Sequence, residues 1–163
     1  MAMSKAAPRR HGSGMSARQL AALRGNTFGV LVMLIVQFAI GITVNLYATI
    51  PAKDRGSGIF GAVGRALTSG PASLATHAGL GLLIVLAAVA LVVRSIVTRH
   101  TASIVLSAIG LAAIVSAALN GARFVADGGP ASASLAMALS TAAAMLCYAL
   151  GLLLPASRRP AVE

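Results

Sequence analysis

The stretch PASLATHAGLGLLIVLAAVALVV, residues 71–93, contains no charged side chain, and His77 is its one ionisable group. At about 1.5 Å per helical residue it reaches roughly 34 Å, enough to cross the ~30 Å hydrocarbon core of a bilayer. Working outward, three more stretches have the same character, at about residues 28–48, 101–122 and 131–154, and none of them holds Asp, Glu, Lys or Arg. Lipid offers the backbone no hydrogen-bond partner, so segments of this length and composition cross it as helices. Short connections near Thr98-Arg99-His100 and at Asp127-Gly128-Gly129-Pro130 make consecutive helices antiparallel. The expected fold is all-α, an integral membrane up-down-up-down four-helix bundle.

Composition agrees. With 58% hydrophobic residues, 10% charged residues and a mean hydropathy of +0.89, a soluble domain of 163 residues would lack the polar surface to cover itself. The net charge of +10 does not indicate nucleic acid, because the basic residues flank the apolar stretches with no aromatic interleaving. It follows membrane topology instead. Lys5, Arg9, Arg10, Arg18, Arg24, Arg94, Arg99, Arg158 and Arg159 fall on one side, and Lys53, Arg55, Arg65 and Arg123 on the other. Nine against four sets both termini in the cytoplasm. The excess of Arg over Lys, with abundant Ala and Gly, points to a GC-rich bacterial genome and hence to the inner (plasma) membrane. Cys147 is the single cysteine and can form no internal disulfide.

Residues 1–16 read as a disordered basic cytoplasmic tail, 17–155 as the transmembrane domain and 156–163 as a second cytoplasmic tail. The first span is too long for the apolar core of a cleaved signal peptide and lacks an A-x-A site, so a retained signal anchor is expected. The helix is expected to begin early, from Ala17, with Arg18 and Arg24 facing phosphates. In the loop at 49–71, Ile59, Phe60, Val63 and Leu67 fall on one helical face, which predicts a short interfacial helix.

Polar side chains within the spans should turn inward. Gly29, Gln37, Gly41 and Asn45 recur at multiples of four in the first span; Ala112, Ser116, Asn120 and Arg123, at steps of four, four and three, make a similar face in the third, and Ser134, Ala138, Thr141, Met145 and Tyr148 one in the fourth. These stripes serve helix packing, and Gln37 is a residue of the kind that bonds helices together. Depth adds to this. His77 lies about 9 Å below the start of its helix, and Asn45, Asn120 and Arg123 lie near the outer ends of theirs. Asn45, His77, Asn120 and Arg123 thus form a candidate ligand-binding cluster in the outer half of the bundle, suited to a polar head group, a quinone carbonyl or a cofactor propionate. Each has a structural alternative: Arg123 snorkelling to phosphates, and a neutral His77 donating to a backbone carbonyl or to Asn45.

The pairing of Val36-Gln37-Phe38-Ala39-Ile40-Gly41 with His77-Ala78-Gly79-Leu80-Gly81-Leu82 resembles one four-helix half of haem A synthase-type membrane proteins, over about residues 30–95. In that family each half carries histidines on its second and fourth helices that ligate haem. His77 matches the first; the fourth span has no histidine, and Met137 stands at similar depth. The resemblance thus implies a haem ligated by His77; with Met137, by its depth, as the second axial ligand, the pair would suit electron transfer.

No paired carboxylates, cysteine cluster, phosphate loop or nucleophile–base pair is present, so no catalytic residue and no metal site are assigned. The reading is a non-catalytic accessory subunit or ligand-binding module. Its partners are the lipid bilayer and either a larger membrane complex or further copies of the chain. The alternatives are a haem-binding redox or haem-processing protein using His77, and a small transporter or channel subunit.

Overall fold

The computed structural model describes residues 16–47, 56 and 58–153. The two tails beyond these, the loop residues Lys53, Asp54 and Arg55, and the last residue of the first and fourth expected spans lie outside the described residues. Five helices follow in order: α1 Ala17–Tyr47, α2 Gly58–Thr68, α3 Ala72–Val97, α4 Thr101–Ala126 and α5 Ala131–Leu153. Four of them are long and apolar enough to cross a membrane. At 31 residues α1 measures about 46 Å, so its first turns, with Arg18 and Arg24, extend beyond the hydrocarbon. Arg24 is anchored there by a hydrogen bond to the Leu152 carbonyl at 2.9 Å.

The connections show why the chain reverses where it does. After α3, Arg99 adopts a left-handed backbone (φ 53°), and His100 then caps α4 by accepting from the Ser103 backbone N–H at 3.3 Å. After α4, Gly128 and Gly129 both take positive φ, which side-chain-bearing residues resist. Their N–H groups return to the carbonyls of Val125 and Phe124 and close the helix end.

α1 packs on α3 and α5, and α4 packs on α3 and α5, giving a ring of four. Cross-helix neighbours fix the antiparallel register: Gln37 with Gly81 and His77 with Gly41 between α1 and α3, Met137 with Gly121 and Tyr148 with Gly110 between α4 and α5. α2 lies against α3 and α4 at the end of the bundle where α1 finishes and α3 begins, called here the α2 end.

Large apolar side chains cover the outside, among them Leu82, Leu83, Leu86, Leu135, Leu139 and Leu146, while much of the interior is Ala, Ser and Thr. A soluble domain would invert this pattern. In lipid it is the expected one, because small residues let helices approach and large ones meet acyl chains. This is a multi-pass membrane protein with a four-helix bundle.

The interior divides into two clusters. One, toward the α3–α4 loop, contains Leu23, Val30, Leu34, Ile84, Ala88, Leu91, Ile114, Ala144 and Tyr148. The other, at the α2 end, contains Val44, Ala62, Ala66, Leu74, Val125 and Ala126. The short helix predicted in this loop is present as α2. Phe60, on its predicted apolar face, is 93% exposed, whereas Ala62 and Ala66 are buried against the bundle. The helix is therefore docked by its small residues, with Leu67 beside Gly79 of α3, and presents Phe60 to the surroundings.

Candidate functional site

Between the two clusters lies a cavity of about 360 Å³. Leu34, Ile84 and Ile114 line it from one cluster, and Val44, Ala62, Ala66, Leu74 and Val125 from the other. Its volume falls in the range of small-molecule sites. α2 makes it possible: it adds a fifth wall to that half of the bundle, with Ala62, Val63 and Ala66 in the lining. Ile42 on α1, Val63 on α2 and Leu82 on α3 line the cavity while being 46%, 41% and 55% exposed, so the cavity is not sealed from the surface.

That seam carries the polar chemistry. Each helix offers a polar side chain followed four residues later by glycine, Gln37 and Gly41 on α1, His77 and Gly81 on α3. Because the helices are antiparallel, each polar side chain lies on the other helix's glycine. A Cβ on Gly41 would stand 3.0 Å from His77 Cε1, and one on Gly81 would stand 3.1 Å from Gln37 Nε2. The Gln37 amide donates to the His77 backbone carbonyl at 2.9 Å and also lies 3.4 Å from His77 Nε2. Gln37 Oε1 and His77 Nδ1 are buried without a hydrogen-bond partner. Buried polar atoms are ordinarily paired, and leaving one unmade costs about 1–3 kcal/mol.

Of the residues singled out by sequence, Asn45, His77 and Met137 line the cavity, together with Gln37, Ser134 and Thr141. Asn45 Oδ1 accepts from Ser134 Oγ at 3.1 Å and joins α1 to α5. Asn120 and Arg123 do not line it. Asn120 donates to the Ser116 carbonyl one turn back in its own helix at 2.8 Å, and Arg123 is exposed near the end of α4. They share the depth of the cluster but not its face. Gln37, assigned to helix packing from sequence, is the residue that engages His77.

The donor atoms of His77 and Met137 are turned to different helices. The imidazole sets its Cε1 corner, with a nitrogen on either side, against Gly41 of α1, while Met137 Sδ lies 3.2 Å from the position of a Gly121 Cβ on α4. Both residues line the one cavity. Among the described residues there is no group of three or more His, Cys, Asp or Glu able to hold a metal ion.

Compared with protein-family models, curated proteins and solved structures, the chain has no significant match. The functional reading therefore rests on the geometry of the cavity.

Proposed function

We propose that this membrane protein is a non-catalytic binding module that holds a small lipid-soluble molecule in the cavity at the α2 end. The observation that carries the reading is the cavity itself: about 360 Å³ within the bundle, mostly apolar, with two unpaired polar atoms on Gln37 and His77 beside it. Among the described residues the lining has no Asp or Glu, which argues against a proton or ion pathway of the kind that uses such groups at membrane depth. The same reading sets both termini in the cytoplasm of a bacterial cell, with the α2 end outermost. Nine basic residues against four support that orientation, and the arginine-rich composition supports a bacterial plasma membrane.

The test is photolabelling of the full-length protein in lipid nanodiscs with a diazirine-bearing alkane. Labelling is expected to saturate, and to lose its saturable part in Ala138→Phe and Ala117→Phe, which fill the cavity from α5 and α4. Labelling that rises linearly with probe in all three proteins contradicts the proposal. An optical spectrum of the purified protein addresses the haem alternative. No Soret band is expected; a band lost in His77→Ala would replace this reading with the haem one.

A further inference from the structure

Among the described residues, the cavity lining contains no Asp, Glu, Lys or Arg, and His77 is its one ionisable group. A charged head group would find no fixed counter-charge among these residues, and an unpaired ion in such surroundings is strongly disfavoured. The lining suits a neutral head group, and the atoms left over at the α1–α3 seam say what that group offers. Gln37 directs one amide hydrogen at the His77 carbonyl and the other toward Nε2. The network thus assigns Nε2 as the acceptor and puts the imidazole hydrogen on Nδ1. What remains unpaired is one acceptor, Gln37 Oε1, and one donor, His77 Nδ1–H.

We infer, resting on the binding-module reading above, that the ligand is an uncharged lipid-soluble molecule bearing a hydroxyl group. The hydroxyl donates to Gln37 Oε1 and accepts from His77 Nδ1–H. It is the smallest neutral group that does both, whereas a ketone, ester or ether only accepts. Both protein atoms are covered in the structure, so binding opens the seam over them while the Gln37–His77 contact is kept. The route in is lateral. Ile42 and Leu82 flank the α1–α3 seam on both the cavity side and the outer surface, so a molecule dissolved in the bilayer meets the opening without crossing the aqueous phase.

The experiment is competition against the diazirine alkane in nanodiscs, using decanol, decanoic acid and decane at matched membrane concentrations. Decanol is expected to suppress the saturable labelling at about tenfold lower concentration than decane, with ionised decanoate no better than decane. In Gln37→Met, which keeps the side chain's shape and removes its amide, the advantage of decanol should disappear. Equal competition by decanol and decane in the native protein, with labelling still saturable, overturns the hydroxyl assignment and leaves the binding module standing. Preferential competition by decanoate overturns it too, in favour of a charged head group. Loss of saturable labelling in the native protein removes both. Should Gln37→Met fail to fold, His77→Phe serves in its place, and the decanol-to-decane ratio of the native protein decides.

Discussion

Gln37 and His77 illustrate how a polar group is kept in a membrane interior. Each is laid on a glycine of the facing helix, and the two share hydrogen bonds that, across transmembrane helices, contribute roughly 1–2 kcal/mol at most. Gly41 should therefore resist substitution. Gly41→Ala places a methyl group 3.0 Å from the imidazole and is expected to destabilise the fold by about 1–3 kcal/mol. Gly25→Ala, where a Cβ meets nothing within 4 Å, should be neutral or stabilising by up to ~1 kcal/mol. Thermal unfolding of both variants in the same detergent checks the contrast; equal behaviour would discount the close approach. Tyr148 offers a second contrast. Its ring is 1% exposed and its hydroxyl is buried without a partner, so Tyr148→Phe should stabilise by about 1 kcal/mol, whereas Tyr148→Ala should cost about 3–5 kcal/mol. At this scale the sequence was half legible. The spacing of Gln37, Gly41 and Asn45 marks an inward stripe, and the depth of His77 is countable from Pro71. The pairing of Gln37 with His77 depends on the register between two helices, which neither segment contains. Asn120 and Arg123 show the limit of depth alone, because it does not say which way a side chain turns.

Among the elements, α2 is the one whose existence was readable and whose role was not. Ile59, Phe60, Val63 and Leu67 mark a helical face, yet the surface that docks is made of Ala62 and Ala66. In lipid the large residues belong outside and the small ones at contacts, so apolar periodicity identifies the helix without identifying its inner side. The consequence is testable by enlarging one face at a time. Ala62 is fully buried, and Ala62→Leu should destabilise by about 1–3 kcal/mol through overpacking against α3 and α4. Phe60→Ala should leave the unfolding midpoint within the error of the native value. The opposite ranking would mean that α2 is held by its large residues instead.

For the whole molecule, the four long helices and their antiparallel order follow from hydropathy and loop length, because bilayer thickness and backbone hydrogen bonding leave few alternatives. The cavity does not follow from them. It arises because five helices surround the α2 end while four surround the other, a property of assembly rather than of any one segment. Orientation is a further whole-molecule property. In a Cys147→Ser background, an impermeant maleimide added to intact cells should label Asp127→Cys and spare Ser16→Cys, whose positions are at opposite ends of the bundle. Labelling of Ser16→Cys alone would reverse the topology. The central claim, a bilayer-accessible cavity beside the Gln37–His77 pair, is tested most directly by locating the diazirine adducts in the native protein by peptide mass spectrometry. Adducts are expected on cavity-lining residues of α1 and α3, between Gln37 and Asn45 and between His77 and Val85, and to be lost from both segments in Ala138→Phe. Adducts confined to outward residues such as Leu86 and Leu139, and unchanged in Ala138→Phe, would contradict it.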